Sequence, residues 1–244
     1  MNTADLSVVM PVYKQENKVV LYLKNLDKIL AELNINYEII CVVDGFLDNT
    51  FKNAKKYINK RIKVIGYEKN QGKGNAVRFG MSHAKGKIIG FVDGGFDLKY
   101  TSIPLALKHM KWYDADIIIG SKRHPASKIT YPWQRRILSW GYQMIARILF
   151  GINVRDTQVG MKFFKKKVVR QVLPRLLVKA FAFDVEMLAV ANRMGFKKIY
   201  EFPVELKLEF GTGSTLISHN FLRTVFWMLW DTLAVFYRLK ILRY

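Results

Sequence analysis

The chain has 244 residues, half of them apolar and 24% charged, a balance that supports one large α/β domain or two small ones and excludes disorder. Forty Lys and Arg against nineteen Asp and Glu give a net charge of +21, a field that attracts nucleic acid, anionic lipid or phosphorylated ligands. No zinc-finger spacing, basic zipper or aromatic ribonucleoprotein signature accompanies that charge, so nucleic acid is not expected as a partner.

"LSVVMPV" (6–12) reads as a short apolar strand, and "NKVVLYLKNLDKILAELN" (17–34) as a helix with Val20, Leu23, Leu26, Ile29 and Leu30 at helical spacing. "YEIICVVD" is a second strand ending on Asp44, and "DNTFKNAKKYINK" opens with good N-cap residues and continues as a helix. The lone Cys41 lies inside that second strand as a small core residue and excludes an internal disulfide. "KVIGY" (63–67) is a third strand, "GKGNAVRFGMSHA" a helix, and "KIIGFVD" (87–93) a fourth strand. A helix near Pro104 to Tyr113 then leads into the strand "ADIIIG" (115–120).

This alternation predicts a Rossmann-like, mostly parallel sheet flanked by helices. Ligands of such sheets sit outside the carboxyl ends of the strands. Pro11 and Tyr13 follow the first strand, Asp44 ends the second, Asp93 ends the fourth, and Ser121 to Arg123 follow the fifth. One rim thus collects two carboxylates and a cationic patch, a set suited to a magnesium or manganese ion on an anionic phosphate ligand.

The second half changes character. "YPWQRRILSWGYQMIARILFGI" (131–152) and "NFLRTVFWMLWDTLAVFYRLKILRY" (220–244) mix aromatic, apolar and basic residues. Arg147 interrupts the first, and Arg223, Asp231 and Arg238 interrupt the second, so lying in a membrane surface is easier for either than crossing the membrane. The competing reading is packing inside a domain or a dimer interface. The simplest partition is a catalytic domain over 1–215, with an interfacial helix at about 133–150, followed by an amphipathic membrane-associated segment over 216–244. No N-terminal secretory signal is visible, so a cytoplasmic, membrane-peripheral location is expected. His83, His109, His124 and His219 are scattered without metal-ligand spacing.

Five stretches occur in an order that resembles the family 2 glycosyltransferases: "VVMPVYKQEN", "EIICVVDGFLDNT", "NQGKGNAVRFGMSHAKGKIIGFVDGGFD", "IIIGSKRHP", and "VRDTQVGMKFF" followed by "FAFDVEML". Within the family the dolichyl-phosphate glucose and dolichyl-phosphate mannose synthases are the nearest branch, and the middle motif leans to the glucosyl side. The resemblance implies an A-type glycosyltransferase fold. It also implies inverting transfer of a hexose, glucose or mannose, from a nucleotide sugar (UDP-glucose or GDP-mannose) to a polyprenyl (dolichyl) phosphate at the cytoplasmic membrane face, assisted by Mg2+ or Mn2+.

Carried over residue by residue, the resemblance puts Pro11 and Tyr13 at the base pocket, Asp44 at the nucleoside, and Asn70, Gly72 and Gly74 in a turn close to the nucleotide. The family's alternating metal-binding positions hold Asp93, Gly95 and Asp97, so the central carboxylate is missing while Asp93 and Asp97 remain as metal ligands. Arg123, Arg135 and Ser139 match residues that hold the acceptor phosphate. The latter two stand four residues apart, on one helix face, whereas Arg136 points elsewhere. Asp156 and Gln158 fall in a family stretch, with Asp156 orienting sugar hydroxyls or holding a basic residue. Glu186 is either functional or a buried ion-pair partner. Gln15 stands where the family has an acid, and Thr215 where relatives carry a lysine. These departures keep two alternatives in view: transfer to a glycan or protein acceptor, and a degenerate protein that binds nucleotide sugar or membrane without turnover.

Overall fold

The computed structural model describes residues 4–95, 98–130, 133–180, 182–207 and 221–243. The first half alternates as expected: β1 (Leu6–Val12), α1 (Val19–Ala31), β2 (Tyr37–Asp44), α2 (Thr50–Lys55), β3 (Ile62–Tyr67), α3 (Lys73–Ser82), β4 (Ile88–Val92), α4 (Ile103–Trp112) and β5 (Ile117–Ser121). The second half adds β6 (Lys128–Thr130), α5 (Trp133–Phe150), β7 (Met161–Lys165), α6 (Lys166–Val172), α7 (Phe183–Arg193), β8 (Ile199–Pro203), β9 (Glu205–Lys207) and α8 (Phe221–Phe236), whose last turns widen to a π-helix over Tyr237–Ile241.

Seven strands make one sheet in the order β3-β2-β1-β4-β7-β5-β8. All neighbouring pairs are parallel except those of β7, which runs antiparallel between β4 and β5. Every residue of β1 and β2 is buried, the continuous apolar run expected of strands covered on both faces. One face carries α1, α2 and α4 over side chains such as Val8, Ile39 and Ile118. The other carries α3, α5, α6, α7 and α8 over Val9, Ile40, Phe91 and Ile119. Successive strand residues point to opposite faces, which is why Val8 and Val9 belong to different cores. β6 and β9 pair separately, in parallel.

Helix α2 is six residues long and does not extend through residue 60. The Asn59 carboxamide oxygen accepts from the Arg61 and Ile62 backbone N–H groups at 2.8 and 3.0 Å, a local turn that competes with the helix for the chain. At the other end of the fold, α5 and α8 touch through the Tyr142 and Thr232 hydroxyls at 2.8 Å and the Phe150 and Phe236 rings at 6.3 Å. Both helices also leave large apolar side chains exposed, among them Trp140, Ile148, Trp227 and Trp230. Among the described residues, no helix is long and apolar enough to cross a membrane.

Candidate active site

The carboxyl end of β2 builds the first part of the site. Asp44 is buried, and its carboxylate accepts from the Tyr67 hydroxyl (2.9 Å), the Asn70 amide (2.8 Å) and the backbone N–H groups of Gln71 (2.8 Å) and Gly72 (3.0 Å). The structure therefore places Asp44 as the holder of the turn that enters α3. Gly72 turns at φ +93°, and a Cβ there would stand 2.6 Å from the Lys179 carbonyl oxygen; only glycine allows both the conformation and the approach. Gly74 packs as tightly, against Phe183. Pro11 is buried at the end of β1 and Tyr13 stands exposed beyond it.

The segment behind this turn is fastened from another direction. Glu186 of α7, 0% exposed, accepts from the Leu177 N–H at 3.0 Å and the Val178 N–H at 2.9 Å, and pairs with the Arg238 guanidinium at 2.6 Å. Glu186 is thus a buried ion-pair partner, one of the two readings its sequence context allowed. The strap it holds meets α3 through the Asn75 N–H on the Lys179 carbonyl (3.3 Å) and Arg78 Nη1 on the Leu176 carbonyl (2.5 Å).

Asp93 follows β4, its N–H bonded to the Gly160 carbonyl at 2.8 Å and its own carbonyl accepting from the Tyr100 hydroxyl at 3.1 Å. Its side chain is 41% exposed and lies directly over Gly160, where any Cβ would collide with the carboxylate. Lys73, at the start of α3, donates to Asp93 Oδ2 at 3.0 Å and faces Oδ1 at 2.8 Å outside hydrogen-bonding geometry, so Oδ1 is a buried acceptor without a hydrogen bond. The same ammonium stands 3.7 Å from Asp184, which in turn binds the fully buried Lys162 at 2.5 Å. Burial works to lower the pKa of Lys73, but the charges of Asp93 and Asp184 outweigh it and hold the ammonium above its ordinary value. Burial dominates at Lys162 and pulls it down despite Asp184.

These groups fit a divalent cation. Magnesium commonly takes only one or two carboxylates and completes its shell with water and substrate phosphate, and Asp93 offers a carboxylate 41% exposed, whose buried Oδ1 accepts no hydrogen bond and faces only the Lys73 ammonium among the described residues. Among the described residues nothing stands within 4 Å of a Cβ at position 95, but Gly95 supplies no ligand. Among the described residues no group of three His, Cys, Asp or Glu side chains converges. Asp97 lies outside the described residues.

Two strands along the sheet, about 10 Å at the usual spacing, the end of β5 carries the cationic patch. Asp156 is buried there, accepting from the backbone N–H groups of Lys122 (3.2 Å) and Gln158 (3.1 Å) and facing the Lys122 ammonium at 3.7 Å. Of its two anticipated roles, the structure supplies the hold on a basic residue. Gln158 reaches α8 instead, with its amide 3.1 Å from the Met228 sulfur. Arg123 lies in a cleft of about 570 Å³ beside α5. Arg135 and Ser139 are one turn apart in α5; their side chains, like that of Arg136 and all of Thr215, lie outside what is described.

Lys73, Lys162, Asp184 and Gly160 were not anticipated. A signal existed for Lys162, a lone lysine inside the apolar run "GMKFF", and for Asp184, two positions before Glu186 in the same motif. Nothing local marks Lys73 as the partner of either acid.

The profile of Glycosyl transferase family 2 matches residues 7–173. A dolichyl-phosphate beta-glucosyltransferase from Drosophila melanogaster is 34% identical over 209 residues, covering 78% of this chain and 63% of that protein. One from Homo sapiens is 31% identical over 209 residues, covering 78% and 64%. The chain therefore spans somewhat less than two thirds of the length of these relatives. Glucosyl-3-phosphoglycerate synthase from Mycobacterium tuberculosis, crystallised with Mn2+, UDP and its glucosylated product, superposes with a TM-score of 0.68 at 16% identity, over 96% of this chain and 79% of that one. Other crystals of that synthase hold UDP-glucose with Mn2+, or UDP with Mg2+. The fold is the one these glycosyltransferases share, and on the profile match and the sequence identity together the chain belongs to glycosyl transferase family 2.

Proposed function

We propose that the protein transfers glucose from UDP-glucose to dolichyl phosphate at the cytoplasmic face of a membrane, with inversion at the anomeric carbon. The observation that carries this reading is the layout of the rim: a turn held by Asp44, the exposed Asp93 carboxylate beside Lys73, and Arg123 about two strand spacings away. That order suits a diphosphate donor and an anionic acceptor meeting over one sheet edge. Relatives named for dolichyl-phosphate glucosyl transfer support the choice of glucose over mannose, and hence of UDP-glucose over GDP-mannose.

In this reading Pro11, Tyr13, Asn70, Gly72 and Gly74 line the nucleotide, and Asp44 fixes their turn. The lipid phosphate is already anionic at neutral pH, so one of its oxygens attacks the anomeric carbon without a dedicated base. The new C–O bond forms as the bond to the UDP oxygen breaks, and the electron pair leaves with the diphosphate. Arg123, with Arg135 and Ser139, holds the acceptor phosphate by charge-assisted contacts. Lys73 offsets charge on the donor side. Asp93, with Asp97, would hold a Mg2+ or Mn2+ ion, which would supply charge stabilisation for the departing diphosphate. The catalytic part spans 1–215, and the helical segment 216–244, together with α5, lies on the membrane surface.

The test is incubation of purified protein with dolichyl phosphate, Mg2+ or Mn2+, and labelled UDP-glucose or GDP-mannose, beside Asp93→Asn. Lipid-linked glucose that disappears in the variant is the expected result. Lipid-linked mannose would reassign the donor. Tight UDP-glucose binding with no turnover on any acceptor would favour a degenerate binding protein, a reading that the missing carboxylate at Gly95 keeps specific.

A further inference from the structure

We propose that Arg147 and Arg155, in the cleft between α5 and the edge strand β8, bind the phosphate of an anionic membrane phospholipid, while Arg123 of the same cleft is left to the acceptor's reacting phosphate. The proposal rests on the reading that α5 and α8 lie on a membrane. The cleft, about 570 Å³, is lined by three arginines, Arg123, Arg147 and Arg155, against a single carboxylate, Glu201. That carboxylate is engaged by the chain: its Oε1 accepts from the Arg155 and Asp156 backbone N–H groups at 2.9 and 3.1 Å. Among the described residues, no carboxylate pairs with the guanidinium of Arg147 or Arg155.

Two exposed arginines at one concavity repel each other unless an anion joins them, and guanidinium forks match phosphate oxygens. The surroundings select a lipid as its carrier. Trp140 and Met144 line the same cleft one helical turn apart, and Ile148, a turn further, is 74% exposed. An apolar row beside a cationic pocket presents acyl chains and headgroup with their respective partners. The neighbouring helix α8 continues the apolar surface with Trp227, Trp230 and Leu233.

The acceptor phosphate must reach the donor over Asp93, whereas Arg147 sits three turns along α5 from Arg135 and Arg155 lies beyond the helix end, against β8 through Glu201. The pair is thus placed to orient the enzyme on the membrane and not to hold the reacting group.

The experiment is sedimentation of the full chain with vesicles of phosphatidylcholine alone or of phosphatidylcholine mixed with phosphatidylglycerol, comparing wild type, Arg147→Ala/Arg155→Ala and Lys56→Ala/Lys60→Ala. The lysine pair removes the same charge from an exposed region beside α2, on the opposite face of the sheet, more than a screening length away from α5. Partitioning of the arginine variant onto the mixed vesicles should weaken roughly thirty-fold, about 2 kcal/mol at the usual conversion. Its binding to phosphatidylcholine alone, and the lysine variant on both vesicles, should stay within a few-fold of wild type. Equal losses in the two variants would mean diffuse charge and overturn the site, as would an arginine variant that binds like wild type. A raised KM for dolichyl phosphate in neutral detergent micelles would give the cleft to the acceptor instead. If wild type bound neither vesicle, the membrane reading itself would fall, and the site with it.

Discussion

Arg238→Met is expected to destabilise the protein strongly although the residue lies in the last turns of the chain. The substitution keeps the length of the aliphatic stem and removes the one cation that pairs with Glu186 among the described residues, where Glu186 is fully buried and paired at 2.6 Å. Breaking a buried pair by deleting one partner costs about 3–5 kcal/mol, because the remaining charge stays desolvated. The Leu177 and Val178 N–H groups still hydrogen-bond the carboxylate, which offsets part of that loss and favours the lower end, about 3 kcal/mol. For a chain of this size, about 2–4 °C per kcal/mol, that is a fall in Tm of about 6–12 °C. Calorimetry measures it, with Ile241→Ala, an exposed neighbour, as a control expected to stay near wild type. In Glu186→Gln/Arg238→Met the buried charge is gone while the carboxamide oxygen still accepts a backbone N–H, so part of the stability should return. A Tm for Arg238→Met indistinguishable from the control, or a double variant no better than the single, would refute the argument. The loss should also appear as faster amide exchange at Leu177 and Val178 and, on the proposed function, as a higher KM for UDP-glucose, since this strap backs the Gly72 turn.

Gly160→Ala places a methyl group 1.8 Å from Asp93 Oδ2, so the carboxylate must swing away; turnover should fall about a hundredfold while circular dichroism stays unchanged. Lys162→Met strips Asp184 of its closest cation and leaves Lys73 at 3.7 Å; denaturant unfolding should report a loss of about 3 kcal/mol. Asp114 is hydrogen-bonded by Lys165 and Lys198, which with their charges hold its carboxyl at about 2 against an ordinary 3.8. Its small stabilising contribution is complete above the ordinary value and is lost as pH falls towards 2. A carbon NMR titration should find the lowered midpoint, and Lys165→Met/Lys198→Met should restore the ordinary one.

The strands β1, β2 and β4 were legible as short continuous apolar runs and α1 from apolar residues at helical spacing, with no distant partner needed. β7 was not. Its five residues carry Lys162 in second place, and a buried lysine there is tolerated because Asp184 arrives from α7 to meet it. The same limit governs the site. Asp44, Asp93 and Arg123 could be placed on one rim from strand ends alone, yet what each touches depends on residues far along the chain. Asp44 is taken up by the turn at 70–72, and Glu186 is matched by Arg238, 52 positions away. The cap and turn chemistry that ended α2 early was written in Asn59, within the predicted helix.

The acids around the site are nearly all matched by the chain's own donors, and this decides what the rim presents to a ligand. Asp44 is held by a hydroxyl and N–H groups, Asp156 by Lys122 and two N–H groups, Asp184 by Lys162, and Glu186 by Arg238. A phosphorylated donor and a lipid phosphate, both anionic, would be repelled by bare carboxylates at these strand ends. On the proposed function they would meet acids already held by the chain's own donors. The two lysine–aspartate pairs differ in how freely they can change partners. Lys162 and Asp184 are closed to solvent, with side chains 0% and 5% exposed, and so form a fixed support. Lys73 and Asp93 are 24% and 41% exposed, so both members can be approached from outside without unburying the other pair.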